Sequence, residues 1–212
     1  MDVRKDLTVL YYTSNQEDDA FEERIRARLL DVIGELPLIS ISHEPINFGY
    51  NVCIGRRELS DRSINESILT GCLIANTPLV ATAEADCLYP PTGYFDYVPD
   101  KINHVYRYGN LYILWKNNPI FKRKKYSGCA QIMGREYFID RIMRRLSSTS
   151  RPFLKGEMIP KNSWTMFSGD LPVVNFKTGN GLRKFTSKSE TDKTPVLPYF
   201  GRAEKVLREM FE

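Results

Sequence analysis

The sequence has few residues of the kinds that build metal knuckles or disulfide frameworks. Its four cysteines form no C-x-x-C pair, which argues against a zinc knuckle. Three of the four lie in apolar stretches, where buried free thiols are common. This usage favours a reducing, cytoplasmic compartment.

Long apolar runs are also missing. None approaches the ~20 residues that a membrane-spanning helix requires, so we expect no membrane insertion. The N-terminal stretch MDVRKDLTVLYYTSN has a charged start and no small-residue cleavage site, and it predicts a first strand, not a signal peptide. With 212 residues, 42% of them hydrophobic and 26% charged, we expect a single domain, 1–212, built from an N-terminal half, 1–90, and a C-terminal half, 91–212.

The net charge of +4 conceals a strong asymmetry. Residues 1–100 hold 8 Lys and Arg against 17 Asp and Glu, a net charge of −9, whereas residues 101–212 hold 22 against 9, a net charge of +13. A basic half favours a polyanionic partner or a phosphorylated ligand, and a solvated basic face is the alternative.

Alternating strand and helix patterns predict an α/β fold with a parallel sheet at the N-terminus. Strands are predicted over 7–13, 38–42 and 79–86, with helices between them. The first helix is capped by Ser14 or Asn15 and ends near Gly34. The second covers 61–76, after a segment, 43–59, that is mostly loop.

The C-terminal half is less regular. Aromatic residues are dense over 91–121, and the Gly-Asn pair in YRYGNLYILWKNN predicts a hairpin. A short strand then leads into a helix over 135–146, and a terminal helix is predicted near the end of the chain. The stretch from 147 onward is rich in loop-forming residues.

Two carboxylates, Glu84 and Asp86, follow the buried run of the third strand in TPLVATAEADCLYP. Ligands of open α/β sheets bind beyond the carboxyl ends of the strands, and residues two apart on a strand point to the same side. Two such carboxylates repel each other unless a cation lies between them. The pattern therefore predicts a Mg²⁺ or Mn²⁺ site. The alternative is that one carboxylate caps the next turn and the other pairs with an arginine.

The order β-α-β, helix, and apolar strand ending in AEADCLYPP resembles the nucleotide-sugar glycosyltransferases of the GT-A fold, close to the family 2 type. The resemblance covers roughly residues 7–145. It implies an open mixed sheet flanked by helices, Rossmann-like in its first half, with a loop-rich C-terminal part. It also implies that Glu84-Ala85-Asp86 replaces the D-x-D motif, which holds a divalent metal on the diphosphate of the donor. Residues 1–90 would bind the nucleotide sugar, most simply a UDP-sugar, and 91–212 would face the acceptor.

The resemblance also implies positions that contact the donor. The end of the first strand lines the nucleotide pocket in this family, the end of the second often carries an acid, and the helix before the motif supplies polar residues. The corresponding residues here are Thr13, Asn15, Glu17, Glu44, Arg62 and Asn65.

The sequence departs from the family in two respects. Many members use a late histidine as a metal ligand, but His43 and His104 are the only histidines. Inverting members use an acid as general base, often in a Glu-Asp pair that this chain lacks. Glu157 and Asp170, in glycine-containing loops, are our candidates for the base, and a retaining enzyme would need none.

The stretch VVNFKTGNGLRKF, 173–185, predicts a strand followed by a glycine-rich turn with cations. Backbone N–H groups at glycines and the charges of Lys177 and Arg183 suit a leaving diphosphate. The spacing is not that of a P-loop, and an ordinary hairpin turn is the alternative.

The acceptor side is predicted from FKRKKYSG, 121–128. Cations next to aromatic residues suit phosphates and stacked bases, which makes Lys122, Arg123, Lys124 and Lys125 candidates for acceptor binding. Proteins of this appearance occur in bacteriophages that glycosylate hydroxymethylated bases in DNA, so DNA is one possible acceptor and the host cytoplasm one possible location. A carbohydrate, lipid or protein acceptor is the alternative.

Two other functions remain open from the sequence. The missing histidine and Glu-Asp pair suit a non-catalytic nucleic-acid-binding module on a degenerate transferase scaffold. A nucleotidyltransferase would also use carboxylates to hold Mg²⁺. Against this function, no glycine-rich loop with Arg or Lys directly follows the first strand.

Overall fold

A computed structural model describes residues 6–147, 164–181 and 192–212. Four helices are described in these ranges: α1 (Asp19–Ile33), α2 (Asp61–Ile74), α3 (Arg135–Ser147) and α4 (Ala203–Phe211). None of the described helices is long and apolar enough to cross a bilayer.

The described strands form two larger sheets and one small one. Their bounds in chain order are β1 (Leu7–Thr13), β2 (Leu38–Ser42), β3 (Tyr50–Cys53), β4 (Leu79–Glu84), β5 (Cys87–Leu88), β6 (Val105–Tyr108), β7 (Leu111–Trp115), β8 (Asn118–Lys124), β9 (Gln131–Gly134), β10 (Trp164–Phe167), β11 (Val173–Lys177), β12 (Lys193–Thr194), β13 (Val196–Leu197) and β14 (Gly201–Arg202).

The first sheet is mixed and has seven strands in the order β10-β6-β9-β4-β1-β2-β3. Strand β1 pairs in parallel with β2 and β4, and β9 is antiparallel to both of its neighbours. The predicted α/β fold with an open mixed sheet and flanking helices is therefore confirmed. Because β1 and β4 are adjacent and parallel, their carboxyl ends meet at one edge of this sheet.

A second, five-stranded sheet in the order β12-β8-β7-β11-β5 was not predicted. Because of this sheet, the Gly-Asn pair at 109–110 has a different structural role from the one predicted. Strand β6 belongs to the first sheet and β7 to the second, so the predicted hairpin between them is wrong. Gly109 N–H donates to the Phe167 carbonyl and Asn110 O accepts from Val173 N–H, so the pair carries the chain from one sheet to the other. The hairpin is instead β7–β8, which pair in antiparallel fashion.

Four further boundaries differ from the prediction. Strand β4 ends at Glu84 and not at 86, so Asp86 lies in the turn that follows. Helix α1 is capped by Asp18, whose carboxylate accepts from Phe21 N–H at 3.1 Å. Ser14 and Asn15 lie in a loop before it because Asn15 has a positive φ of 53° that a helix excludes. Helix α2 is capped by Ser60 and ends at Ile74, and the predicted loop over 43–59 contains the edge strand β3.

The apolar residues of both sheets share one core. Its members include Val9 and Ala81 from the first sheet, Leu114 and Val174 from the second, and Met210 from α4. The opposite face of the first sheet packs on α2 and α3 through a second cluster that includes Ile68 and Phe138. The inward faces of the first two helices are apolar, since Phe21, Ile25, Leu29, Ile68 and Cys72 are all buried.

Candidate functional site

The carboxylates at the end of β4 are held by neighbouring strands. Tyr12 of β1 lies beside Glu84 in register and its hydroxyl donates to Glu84 Oε1 at 2.5 Å. Asp86 lies in the turn that follows, where Asn175 of β11 donates to its Oδ1 at 2.7 Å. The backbone of the same turn is fixed to β11, because Phe176 N–H donates to Asp86 O at 2.7 Å. The two carboxylates are thus positioned by three strands from both sheets.

A lysine lies next to this pair. Lys177 Nζ is 3.4 Å from Asp86 Oδ2, and the two side chains are only 14% and 17% exposed. Burial lowers the pKa of Lys177, but the attraction of Asp86 and Glu84 outweighs it, so the net shift of that pKa is upward. Lys177 therefore stays protonated and balances one of the negative charges.

A third carboxylate reaches the same place from the loop after β1. Glu17 Oε1 accepts from Thr178 Oγ1 at 2.8 Å, directly after Lys177 in the chain. Its other oxygen, Oε2, is buried and has no hydrogen-bond partner among the described residues. Burial raises the pKa of Glu17, and the charge of Asp86 raises it further. We refer to Glu17, Glu84 and Asp86 as the carboxylate cluster.

The electrostatics of the carboxylate cluster are those of like charges held together away from water. Burial raises the pKa of Glu84 to about 7, with a further upward contribution from Asp86 and opposing ones from Lys177 and Lys124. A buried carboxylate oxygen without a partner costs free energy that a bound cation would offset. Oxygen donors of this kind suit a hard divalent ion such as Mg²⁺ or Mn²⁺. The donor oxygens of Glu17, Glu84 and Asp86 do not form a group within 4.8 Å of one another, so the predicted ion stays a prediction.

Two thiols lie against the carboxylate cluster, and the sequence analysis did not place them there. The donor atoms of Glu84, Cys87 and Cys129 all lie within 4.8 Å of one another. Both cysteines are buried. Cys87 Sγ is 3.3 Å from Asp86 Oδ1 and accepts from Asn175 Nδ2 at 3.1 Å.

The predicted donor residues divide into two groups. Thr13 and Asn15 join Glu17 at the carboxyl edge. Thr13 Oγ1 donates to Glu22 Oε1 at 2.6 Å and accepts from Asn15 N–H, and Asn15 Oδ1 accepts from His43 N–H and Glu44 N–H. These contacts tie the loop after β1 to the end of β2.

The other predicted donor residues have surface or capping contacts. Glu44 forms an exposed ion pair with Arg56 at 2.6 Å, and Arg62 pairs with Glu66 at 2.9 Å. Asn65 Nδ2 donates to the Asp61 carbonyl one turn earlier in α2. None of these contacts within the described part of the chain links the three side chains to the carboxylate cluster.

Of the two predicted base residues, the structure describes only Asp170. Asp170 is exposed in the loop between β10 and β11, and its backbone carbonyl accepts from Asn110 Nδ2 at 3.3 Å. Glu157 and Arg183 lie outside the described residues.

The predicted acceptor cations divide along β8. Lys122 and Lys124 are half-buried, and Arg123 and Lys125 are exposed. Lys122 Nζ lies 4.4 Å from the centre of the Trp115 ring, and Lys124 Nζ donates to Ser127 Oγ at 3.2 Å. The charge of Lys124 also lowers the pKa of Glu84, though less than that of Lys177 does.

Several contacts of the site carried little or no sequence signal. Tyr12 is one of many strand aromatics, and its contact with Glu84 follows only from the β1–β4 register. Asn175 did give a signal, because an amide within the apolar run VVNFK must find a partner once it is buried. It is 1% exposed and finds Asp86.

A cavity of about 400 Å³ lies elsewhere, lined by Thr77, Pro78, Arg135 and Tyr137 among others. Pro78 precedes the first residue of β4, so this cavity lies at the amino end of that strand, whereas the carboxylate cluster lies at its carboxyl end. We place the candidate site at the carboxylate cluster because the buried charges are there.

Comparisons with known proteins give distant likenesses only. No family model matches the chain, and no curated protein matches it. Among solved structures, 4-diphosphocytidyl-2C-methyl-D-erythritol synthase from Anaerococcus prevotii is 9% identical with a TM-score of 0.46, covering 79% of this chain and 89% of its own. A glycosyltransferase involved in glycosylation of the major capsid of PBCV-1 is 8% identical with a TM-score of 0.47, covering 76% and 81%. The bifunctional IspDF from Campylobacter jejuni is 8% identical with a TM-score of 0.41, covering 77% and 49%. At these values none of the three carries an argument about this chain.

Proposed function

We propose that the protein is a glycosyltransferase that moves a sugar from a nucleotide-sugar donor, most simply a UDP-sugar, to an acceptor hydroxyl with the help of Mg²⁺ or Mn²⁺. The observation that carries the proposal is the convergence of Glu17, Glu84 and Asp86 with Lys177 at the carboxyl edge of β1 and β4. Ligands of open α/β sheets bind at that edge.

In this reaction the acceptor oxygen forms a bond to the anomeric carbon of the sugar. The bond from that carbon to the diphosphate oxygen breaks, and the proton of the acceptor hydroxyl goes to a base or to water. A divalent ion held by Glu84 and Asp86, with Glu17 Oε2 as a further oxygen donor, would neutralise charge on the leaving diphosphate.

The protein's own groups have separate tasks in the proposal. Lys177 supplies a fixed positive charge beside the same diphosphate. The turn after it contains Gly179, which has a positive φ of 98° and open space around it, so its backbone can approach an anion closely. The loop with Thr13, Asn15 and Glu17 borders the nucleotide pocket.

We propose that the acceptor is anionic and approaches along β8, and that a hydroxymethylated base in DNA is one candidate. This part rests on Arg123 and Lys125, which are exposed, and on Lys124, whose charge lowers the pKa of Glu84. Phosphate contacts from such cations would position a nucleic acid. The target base would then have to leave its stack to reach the sugar.

Donor hydrolysis tests the proposal without knowledge of the acceptor. UDP- and GDP-sugars are incubated with the protein and Mn²⁺, and release of nucleoside diphosphate is measured. We expect release by the wild type and its loss in Asp86→Ala, with circular dichroism showing that the variant is folded. Asp140→Ala, which removes an exposed carboxylate paired with Arg144, is the control and should behave as the wild type. Full activity of Asp86→Ala would end the proposal.

A second candidate is a non-catalytic nucleic-acid-binding module. The observation that favours it is the Lys177–Asp86 ion pair, which already places a positive charge against the motif. It predicts DNA binding that weakens steeply with salt, and no binding of nucleotide sugars in a thermal-shift screen with Mn²⁺.

A further inference from the structure

The turn after β4 brings two sulfur donors next to oxygen donors. Cys87 follows Asp86 directly, and Cys129 reaches the same place from the segment before β9. The sulfur atoms of both cysteines and a carboxylate oxygen of Glu84 lie within 4.8 Å of one another. A tetrahedral ion with metal–sulfur distances of about 2.3 Å and metal–oxygen distances of about 2.0–2.2 Å requires donors that converge in this way.

The surroundings hold these donors in place. Asn175 Nδ2 donates to Cys87 Sγ at 3.1 Å and to Asp86 Oδ1 at 2.7 Å. Such hydrogen bonds orient metal ligands. Tyr12 fixes one oxygen of Glu84, and the Cys129 carbonyl accepts from Tyr89 Oη at 2.7 Å.

Asp86 lies beside these donors, with its Oδ1 3.3 Å from Cys87 Sγ, but it is outside the group whose donor atoms all lie within 4.8 Å of one another. The set is then two sulfur ligands and one carboxylate ligand, which leaves one position of a tetrahedral ion for water. Soft thiolates select Zn²⁺ and related ions, whereas Mg²⁺ and Mn²⁺ prefer oxygen alone.

We propose that Cys87, Cys129 and Glu84 form a binding site for a thiophilic divalent cation of the Zn²⁺ class. The site shares Glu84 with the oxygen-ligated ion of the proposed function. The two ions therefore exclude each other. The mutual exclusion of the two ions rests on the proposed function, whereas the binding of the thiophilic cation does not.

Cd²⁺ is the probe, because bonds between Cd²⁺ and thiolates give ultraviolet charge-transfer absorption. The reduced full chain is titrated with Cd²⁺, and the absorption and stoichiometry are recorded. We expect one ion per chain with an absorption due to two thiolates, about half of it lost in Cys87→Ser or Cys129→Ser. The matched control is Cys53→Ser/Cys72→Ser, which removes one exposed and one buried cysteine outside the cluster and should leave the signal unchanged.

Two results would overturn the inference. One is a folded wild type without thiolate absorption at saturating Cd²⁺. The other is a signal that persists in Cys87→Ser/Cys129→Ser and disappears in the control, which would place the ion elsewhere. Glu84→Gln keeps both sulfur atoms and should weaken Cd²⁺ binding by about tenfold or more, so an unchanged affinity would remove Glu84 from the ligand set.

The donor-hydrolysis assay separates this inference from the proposed function. If the protein hydrolyses donors with Mn²⁺, micromolar Zn²⁺ should inhibit the wild type, and Cys87→Ser/Cys129→Ser should resist that inhibition. If no donor is hydrolysed, the proposed function fails and the Cd²⁺ absorption still decides the metal site.

Discussion

At the scale of single residues, Lys177 is the cation that makes the carboxylate cluster compatible with a folded chain. It is largely buried and faces both Asp86 and Glu84. Removing one partner of a buried ion pair leaves the other charge without compensation, which costs on the order of 3 kcal/mol. We therefore expect Lys177→Met to lower the free energy of unfolding by roughly that amount, measured by urea denaturation.

Mn²⁺ should compensate for this loss, because a divalent ion supplies the missing positive charge. We expect saturating Mn²⁺ to raise the melting temperature of Lys177→Met more than that of the wild type. Equal shifts in the two proteins would show that the ion does not bind beside Lys177. Lys205→Met, on the exposed face of α4, is the control for loss of one lysine.

A second residue, Glu22, contacts Thr13 next to the site and should make the stability of the fold depend on pH. It is 3% exposed in α1 and accepts from Thr13 Oγ1 and Tyr11 Oη. Burial is the main cause that raises its pKa above 4.5. The unfolded chain then loses this proton at lower pH than the folded chain, so the contribution of Glu22 to the free energy of unfolding falls as pH rises from 4.5 through its folded pKa.

The slope of this fall is at most about 1.4 kcal/mol per pH unit for one proton. We expect Glu22→Gln to gain stability relative to the wild type over this pH window, measured by urea denaturation at several pH values. Glu23→Gln, on the exposed side of the same helix, controls for the loss of one carboxylate. A stability difference between Glu22→Gln and the wild type that does not vary with pH would contradict the account.

At the scale of elements, the junction of β9 and α3 depends on a glycine. A Cβ added at Gly134 would lie 1.6 Å from the Ile102 carbonyl oxygen, so the backbone would have to move. We expect Gly134→Ala to destabilise the fold by about 1–3 kcal/mol or more, measured by thermal denaturation. Gly128→Ala is the matched control, since a Cβ there meets nothing within 4 Å. Equal effects of the two substitutions would contradict the packing at this junction.

The elements also show what the sequence could and could not predict. Strands β1, β2 and β4 were predictable because each is an apolar run bounded by turn residues. Strand β3 was not, because YNVC is short and none of its residues is fully buried. The separation of β6 from β7 was also not predictable, since strand order depends on pairing between distant segments.

The candidate site likewise contains some residues that the sequence predicted and others that it did not. Glu84 and Asp86 were predictable because they interrupt a buried strand at its carboxyl end. Glu17 was predicted only through the family resemblance, and its contact with Thr178 spans 161 positions in the chain. Cys87 and Cys129 gave no spacing signal because 42 positions separate them, and the antiparallel β4–β9 pairing brings them together.

At the scale of the whole molecule, the basic half should act through its exposed cations. Arg123 and Lys125 are exposed, whereas Lys122 and Lys124 contact Trp115 and Ser127. If DNA is the acceptor, changing Lys122, Arg123, Lys124 and Lys125 to Ala should weaken DNA binding and flatten its salt dependence. Arg123→Ala/Lys125→Ala should lower the slope of log K against log salt by about two, one per lost phosphate contact.

Fluorescence anisotropy at several salt concentrations measures these slopes. Lys205→Ala/Arg208→Ala, which removes two exposed cations from α4, should leave the slope unchanged. Donor hydrolysis should survive in the Arg123/Lys125 variant. If that variant instead loses donor binding while its DNA affinity is unchanged, these cations serve the diphosphate and the DNA acceptor loses its main support.

The central claim is that the carboxylate cluster binds a nucleotide sugar through a divalent ion, and calorimetric titration tests it most directly. UDP- and GDP-sugars are titrated into the wild type, Asp86→Asn and Asp140→Asn, each with and without Mn²⁺. We predict that at least one sugar nucleotide binds the wild type and Asp140→Asn with Mn²⁺, and that removal of Mn²⁺ or the Asp86→Asn change weakens binding at least roughly tenfold, about 1.4 kcal/mol. Absence of binding to the wild type, or equal affinity without Mn²⁺ and in Asp86→Asn, would contradict the claim.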